Sequence, residues 1–218
     1  MGVQHVDKRV IKTKRGLREA FIRLLFEKGY DAISIKDIAD EAEAARVTFY
    51  RHYKNKEELL IDCIDEIFDD LAKKIKQQSG EGFQQGGSPM VAYYQQLQTD
   101  GQIYRILSKS QAGHLLMKRL IDLYANQFVA QIDARFPEQK RLVPADIVAY
   151  HMASALVGIT NWWIEHDQPY SPEYMARVSF WLSVAGSARG LGLEEIPVVP
   201  PDIPMTAEDE EDRSNSTP

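Results

Sequence analysis

Residues Ser34–Leu60 read SIKDIADEAEAARVTFYRHYKNKEELL, and their spacing predicts two short helices joined by a tight corner, then the start of a third. Ser34 is a good N-cap, with Asp37 three residues on as a shorter form of the capping-box acid. Ile35, Ile38, Ala39 and Ala42 fall at helical period and give the first helix, to about Ala42, one apolar face. The second helix spans about Ala45 to Tyr53, with Phe49 turned inward and Arg46, Val47, Thr48 and Tyr50 outward. Asn55 caps the third, with Glu58 at its third position and Lys54 and Lys56 flanking the cap. Two short helices of which the second carries small, hydroxyl, aromatic and cationic residues suit a helix-turn-helix that reads the DNA major groove.

The run TFYRHYKNKEELL (Thr48 to Leu60) resembles the signature of TetR-type transcriptional regulators. So do the preceding IADEA and the amphipathic helix that ends at Lys28-Gly29-Tyr30. Two departures sit at the corner. Glu43 stands where the family usually has Gly, and Ala44 and Ala45 stand where it has Val and a capping Ser. A non-Gly residue in the left-handed region costs about 1–2 kcal/mol, and a lost hydroxyl cap costs about 1 kcal/mol. The expectation is a looser or differently shaped corner, with Glu43 repelling phosphate. The resemblance implies that Arg46 and Thr48 face base edges and that Tyr50, His52, Lys54 and Lys56 hold phosphates. Lys36, Ala45, Val47, Arg51 and Tyr53 complete the candidate DNA-binding set, and the basic first helix adds to it.

With 218 residues the chain can bury a sizeable core and exceeds one minimal domain. There is no apolar run of about 18 residues and no charged-then-apolar leader, so neither a membrane span nor a signal peptide is expected. The single Cys63 cannot pair internally and suits a reducing cytoplasm, the expected location. The net charge of −6 is uneven. Residues 1–60 hold 13 Lys and Arg against 10 Asp and Glu, a balance of +3, whereas 194–218 hold one Arg against eight acids, or −7. Positive charge thus lies with the helix-turn-helix, as phosphate neutralisation needs.

In chain order, residues 1–6 read as frayed, and a helix capped by Asp7 runs to Lys28 with Val10, Leu17, Phe21, Leu24 and Leu25 inward. Lys8, Arg9, Lys12, Lys14, Arg15 and Arg18 crowd its start, which suits either phosphate contact or a solvated basic face. Asn55 to about Gln78 forms one long helix with Cys63 and Ile75 on its apolar stripe. Ser79–Ser88 is a Gly/Gln-rich loop. Helices follow over Pro89 to about Thr99, Gln102–Leu107, Ser110 to about Phe136 (stopped by Pro137), Pro144 to about His166, and Ser171 to Arg189 (stopped by Gly190). The chain from 191 on is proline-rich, then acidic, and reads as disordered. The fold class is all-α, about nine helices with no strand. It comprises a three-helix DNA-binding domain at 7–54, a helical regulatory, ligand-binding and dimerisation domain at 55–190, and a tail at 191–218.

Helices 144–166 and 171–189 are rich in small residues: Ala149, Ala153, Ala155 and Gly158 in one, Ser179, Ser183, Ala185, Gly186, Ser187 and Ala188 in the other. Close approach of a second copy, forming a homodimer through these helices, explains them, as does tight packing within one subunit. Tyr104-Arg105-Ile106-Leu107, Asn161-Trp162-Trp163-Ile164-Glu165 and Pro169-Tyr170-Ser171-Pro172 resemble one subgroup of TetR-type regulatory domains. That resemblance implies an inducer pocket among the middle helices. Its candidate residues are Tyr93, Tyr94, Tyr104, His114, Met117, Tyr124, Asn161, Trp162 and His166, suited to a small, largely apolar effector; each also suits an ordinary core or interface role. No HExxH, phosphate loop, nucleophile elbow or His/carboxylate cluster is present, so neither catalysis, nor a metal, nor a cofactor is expected. The reading is a repressor released from a double-stranded operator by the effector. The alternative is a helical sensor or scaffold with weakened DNA binding.

Overall fold

The computed structural model describes residues 8–82, 89–135 and 141–192. The expectations for residues 1–7, 83–88, Pro137 and the tail from 193 fall outside these. Among the described residues there are nine α-helices and one 3-10 turn. They are α1 (Lys8–Lys28), the 3-10 turn Tyr30–Ala32, α2 (Ile35–Glu41), α3 (Arg46–His52) and α4 (Lys56–Gly82). Then come α5 (Pro89–Asp100), α6 (Gln102–Ser108), α7 (Gly113–Arg135), α8 (Ala145–Glu165) and α9 (Pro172–Gly190). The chain divides into two compact units, one of residues 1–69 and 102–116, the other of 70–101 and 117–218.

The first unit is built on α1. Leu17, Ala20, Phe21, Leu24 and Leu25 recur at helical period and are all buried. Ile38 and Ala39 of α2, Phe49 of α3, Leu59, Leu60, Cys63 and Ile64 of α4, and Leu107 of α6 are the other buried apolar residues of these helices in this unit. Val10, expected inward, is exposed, as is Ile11: the first turns of α1 extend past this core. Gly29 ends α1 at φ 71°, a conformation that favours residues without a Cβ. The chain then returns through Tyr30, whose ring meets Phe21 edge-on at 6.2 Å. A contact distant in sequence secures the α6–α7 connection: the Gln111 backbone N–H donates to the Asp31 carboxylate at 3.2 Å.

In the second unit α9 packs against α5 and α8. Trp163 and Tyr94 are fully buried, with ring centroids 5.3 Å apart and edge-on. The Trp163 indole Nε1 donates to the Tyr170 carbonyl at 2.8 Å, fastening α8 to the segment that opens α9. Ser171 caps α9 as its sequence predicts, its Oγ accepting from the Tyr174 N–H, with Pro172 in the first turn. Ile132, Val148, Ala149 and Leu191 form a further apolar cluster. The Gly190 carbonyl accepts from the N–H groups of both Leu142 and Val143. Leu191, expected in the tail, is therefore core.

Two boundaries differ from expectation. α4 continues to Gly82, because the Gln-rich segment after Lys76 has no proline to stop it. Ser110 does not cap α7 directly. Its Oγ donates to Leu107 O and accepts from Ala112 N–H, closing a turn after which α7 starts at Gly113. The small residues of α8 divide between faces: Ala149 and Ala153 are fully buried, and Ala155 and Gly158 are exposed.

Candidate nucleic-acid interface

α2 begins with a complete capping box. The Asp37 N–H donates to Ser34 Oγ at 3.2 Å, and the Ser34 N–H donates to Asp37 Oδ2 at 2.7 Å. The shorter acid closes the box where a glutamate is usual. Its hydrogen bonds from Ser34, with Lys28 Nζ at 3.1 Å, hold the Asp37 carboxyl well below the usual carboxylate range.

The corner between α2 and α3 is closed, contrary to the looser turn expected from Glu43. Glu43 takes φ 50° at the position after the C-cap Ala42. Its N–H donates to Asp40 O at 3.1 Å and the Ala44 N–H donates to Ala39 O at 2.9 Å, the two bonds of a Schellman motif. The strain of a Cβ at positive φ is present, and two otherwise orphaned carbonyls compensate for it. The same pattern closes α8, where Asp167 at φ 59° donates to Ile164 O and Gln168 at φ 57° to Trp163 O. Ala45, the N-cap of α3, has no side-chain cap hydrogen bond, as its methyl group dictates.

Phe49 fixes the roll of α3. It is 0% exposed, so its neighbours Val47 at 65% and Tyr50 at 57% face solvent. Arg46 and Arg51 are exposed on the same short helix, with Thr48 and His52 half-buried. Ala45, Lys36 and Lys54 are exposed beside them. An aliphatic and an aromatic side chain held in water among cations, on a helix anchored from beneath, form a surface suited to nucleic acid.

Two candidates are committed elsewhere. Tyr53 is buried, and its hydroxyl donates to Asp62 of α4. Lys56 is half-buried, its Nζ donating to the Tyr30 and Ile33 carbonyls at 2.9 Å each and lying 4.1 Å above the Tyr30 ring. That burial lowers the lysine pKa. Both serve the fold because each sits where α4 enters and faces inward, Lys56 toward two carbonyls and Tyr53 toward a carboxylate.

Asp62 is the centre of a polar node that sequence reading did not reveal. It accepts from Tyr53, from Arg18 at 2.9 Å and from Lys14 at 3.4 Å, while Arg18 also pairs with Glu66. Burial works against the Asp62 carboxylate, but the Tyr53 and Arg18 hydrogen bonds prevail and its pKa is lowered. Burial likewise opposes the charge of Arg18, and hydrogen bonds to Asp62 and Glu66 raise its pKa nonetheless. Lys14 and Arg18, read as part of a basic DNA-facing helix, thus pair internally, and Arg15 pairs with Glu19. The signal was available as a spacing: Asp62 and Glu66 lie one turn apart on α4, as Lys14 and Arg18 do on α1.

The candidate effector residues do not all come together. Tyr93, Tyr94 and Tyr124 are buried in the second unit, Tyr93 meeting Tyr94 edge-on at 5.1 Å and Tyr124 at 5.9 Å. Tyr93 Oη and Thr160 Oγ1 share a hydrogen bond of 3.1 Å, and Tyr94 Oη and Ser179 Oγ one of 2.6 Å. Burial raises the pKa of both phenols, which therefore stay protonated. Met117 and Asn161 are half-buried in this unit. Trp162, however, is 40% exposed and stacks on the exposed His166 at 4.8 Å; the inward tryptophan is Trp163, one residue on and 0% exposed. Tyr104 and His114 belong to the first unit, and His114 is exposed with Nδ1 3.0 Å from Gln111 O.

The family model described as "Bacterial regulatory proteins, tetR family" matches residues 17–63, which hold α2, α3 and Asp62. A second, "Transcriptional regulator C-terminal region", matches residues 90–182. The HTH-type transcriptional regulator YxbF of Bacillus subtilis (strain 168) is 26% identical over 179 residues, 80% of this chain and 45% of that protein. A Haemophilus influenzae HTH-type transcriptional regulator is 28% identical over 117 residues, 51% of this chain and 56% of its own length. The chain thus spans about half the length of these curated relatives. The fold matches the RolR complex with resorcinol (TM-score 0.53, 16% identity, covering 88% of this chain and 99% of that one). It also matches a TetR-family regulator from Syntrophomonas wolfei (0.52, 18%, 82% and 96%). No helix among the described residues is long and apolar enough to cross a membrane. The chain belongs to the TetR family of bacterial regulatory proteins.

Proposed function

We propose that this chain is a homodimeric repressor that leaves its operator when a small, largely apolar molecule enters the helical domain. The observation that carries the DNA contact map is the roll of α3, which buries Phe49 and turns Arg46, Val47, Tyr50 and Arg51 to solvent. Arg46 and Thr48 then read base edges, and Tyr50, His52, Lys54 and Lys36 hold phosphates. Lys56 contributes through the fold, by bracing the turn before α2.

Dimerisation through α8 and α9 is supported by their outward apolar residues. Ile147, Tyr150, Gly158 and Trp162 are exposed on α8, and Phe180 and Leu182 on α9. A glycine between large apolar side chains lets a second helix approach closely, and two-fold symmetry sets two recognition helices on successive grooves. The buried Tyr93, Tyr94 and Tyr124 rings support an aromatic or aliphatic effector. Such a molecule shifts DNA affinity only through differential binding to the two states of the dimer.

The test is fluorescence anisotropy on DNA selected from a random pool. Tyr50→Ala should weaken binding about tenfold or more with the melting temperature unchanged, and Lys56→Ala should lower the melting temperature. Undiminished binding by Tyr50→Ala and Arg46→Ala together would refute the contact map. A monomeric mass by light scattering at micromolar concentration would refute the dimer.

A further inference from the structure

We propose that the effector is an uncharged molecule that donates a hydrogen bond to the side-chain carbonyl of Asn161. This rests on the effector reading above and specifies the chemistry of the molecule. Asn161 lies four residues after Val157 and three before Ile164, both buried, so its amide sits along the inward face of α8. Its Oδ1 is buried and has no hydrogen-bond partner among the described residues. Neighbouring polar groups on the helix are matched, Thr160 with Tyr93 and the Trp163 Nε1 with the Tyr170 carbonyl. A buried acceptor without a donor is rare and costly in a folded chain. One that persists on a helix whose Thr160 meets Tyr93 and whose Trp163 meets Tyr94 is a place for a donor from outside the chain.

Charge narrows the class. The buried polar side chains described in this unit are Thr160, Ser171, Ser179 and Ser187, all hydroxyls. No ionised partner is buried with Asn161 among the described residues, so an anion or cation would lose its hydration without compensation. Tyr93, Tyr94, Tyr124 and Trp163 supply ring edges and faces for a flat apolar body. The molecule that fits is neutral, largely apolar and carries one O–H or N–H, as a phenol or an anilide does.

Three probes matched in size decide it: 4-propylphenol, its methyl ether and 4-propylbenzoate. Each is titrated into the full chain without DNA, followed by tryptophan fluorescence and calorimetry. The phenol should bind about tenfold tighter than the ether, which lacks the donor, and than the benzoate, which is charged. Asn161→Leu should abolish the preference for phenol over ether. Equal binding of phenol and ether, tighter binding of benzoate, a preference unchanged in Asn161→Leu, or no binding by any probe would overturn the assignment. If Asn161→Leu does not fold, the phenol-to-ether ratio in the natural chain decides alone. A parallel arm measures operator release: release by the ether or the benzoate keeps the effector reading and removes the donor assignment.

Discussion

Replacing Glu43 by glycine should stabilise the protein. Glu43 sits at φ 50° as the left-handed residue of the Schellman turn that closes α2. An L-residue in that region carries about 1–2 kcal/mol of strain. Glycine removes the strain but enlarges the unfolded ensemble, which takes back about 0.4–1 kcal/mol. The net gain is about 0.5–1 kcal/mol, or about 2 °C in melting temperature for a chain of this size. Calorimetry of Glu43→Gly, Glu43→Ala and the natural chain at one protein concentration checks this, since the stability of any self-associating chain depends on concentration. Alanine removes the carboxylate and keeps the strained backbone, so it should gain nothing. Glycine melting at or below the natural chain, or alanine matching its gain, would refute the account of the corner.

Further tests address the core and the node. Ala45→Ser restores an acceptor at the N-cap of α3 and should add about 1 kcal/mol to stability in urea melts. Asp62→Asn should destabilise at neutral pH. Because the folded pKa of Asp62 is lowered, its contribution is present above the unfolded value of about 3.9 and fades as pH falls through the folded one. The gap in melting temperature between variant and natural chain should therefore narrow below about pH 4, and a gap constant with pH would contradict this. Gly101→Ala places a Cβ 2.3 Å from the Leu97 carbonyl oxygen, so thermal melts should show a loss of more than about 1 kcal/mol. Burial pushes the Cys63 thiol up to about 12, so a thiol reagent should react with it only after denaturation.

The first unit was legible because its signals are local. Ser34 with Asp37 and Asn55 with Glu58 announce helix starts within four residues, and Phe49 marks the inward face of a helix too short to hide its phase. What escaped was long-range. Nothing near Tyr53 shows that its hydroxyl finds Asp62, nor near Lys56 that its ammonium finds the Tyr30 and Ile33 carbonyls. Both were assigned to DNA on residue type, and tertiary partners determine where they point. The regulatory helices were harder. Apolar residues surround much of α8, so periodicity did not separate Trp162 from Trp163, and only contacts with α5 and the start of α9 show which is inward.

The pairing within the first unit alters its polyelectrolyte behaviour. Of the 13 cations in residues 1–60, Lys14, Arg15, Arg18, Arg23 and Lys28 face carboxylates and Lys56 faces carbonyls. Lys36, Arg46, Arg51 and Lys54 are exposed around the candidate interface. Each phosphate neutralised contributes about −0.9 to the slope of log affinity against log salt. With Lys8, Arg9 and Lys12, exposed at the start of α1, seven such side chains give roughly −6 per protomer, about half of what all 13 cations would give. Counter-ion release then comes from about half of the basic residues of this unit, and the operator complex should tolerate changes in ionic strength that would dissociate a protein relying on its whole basic charge.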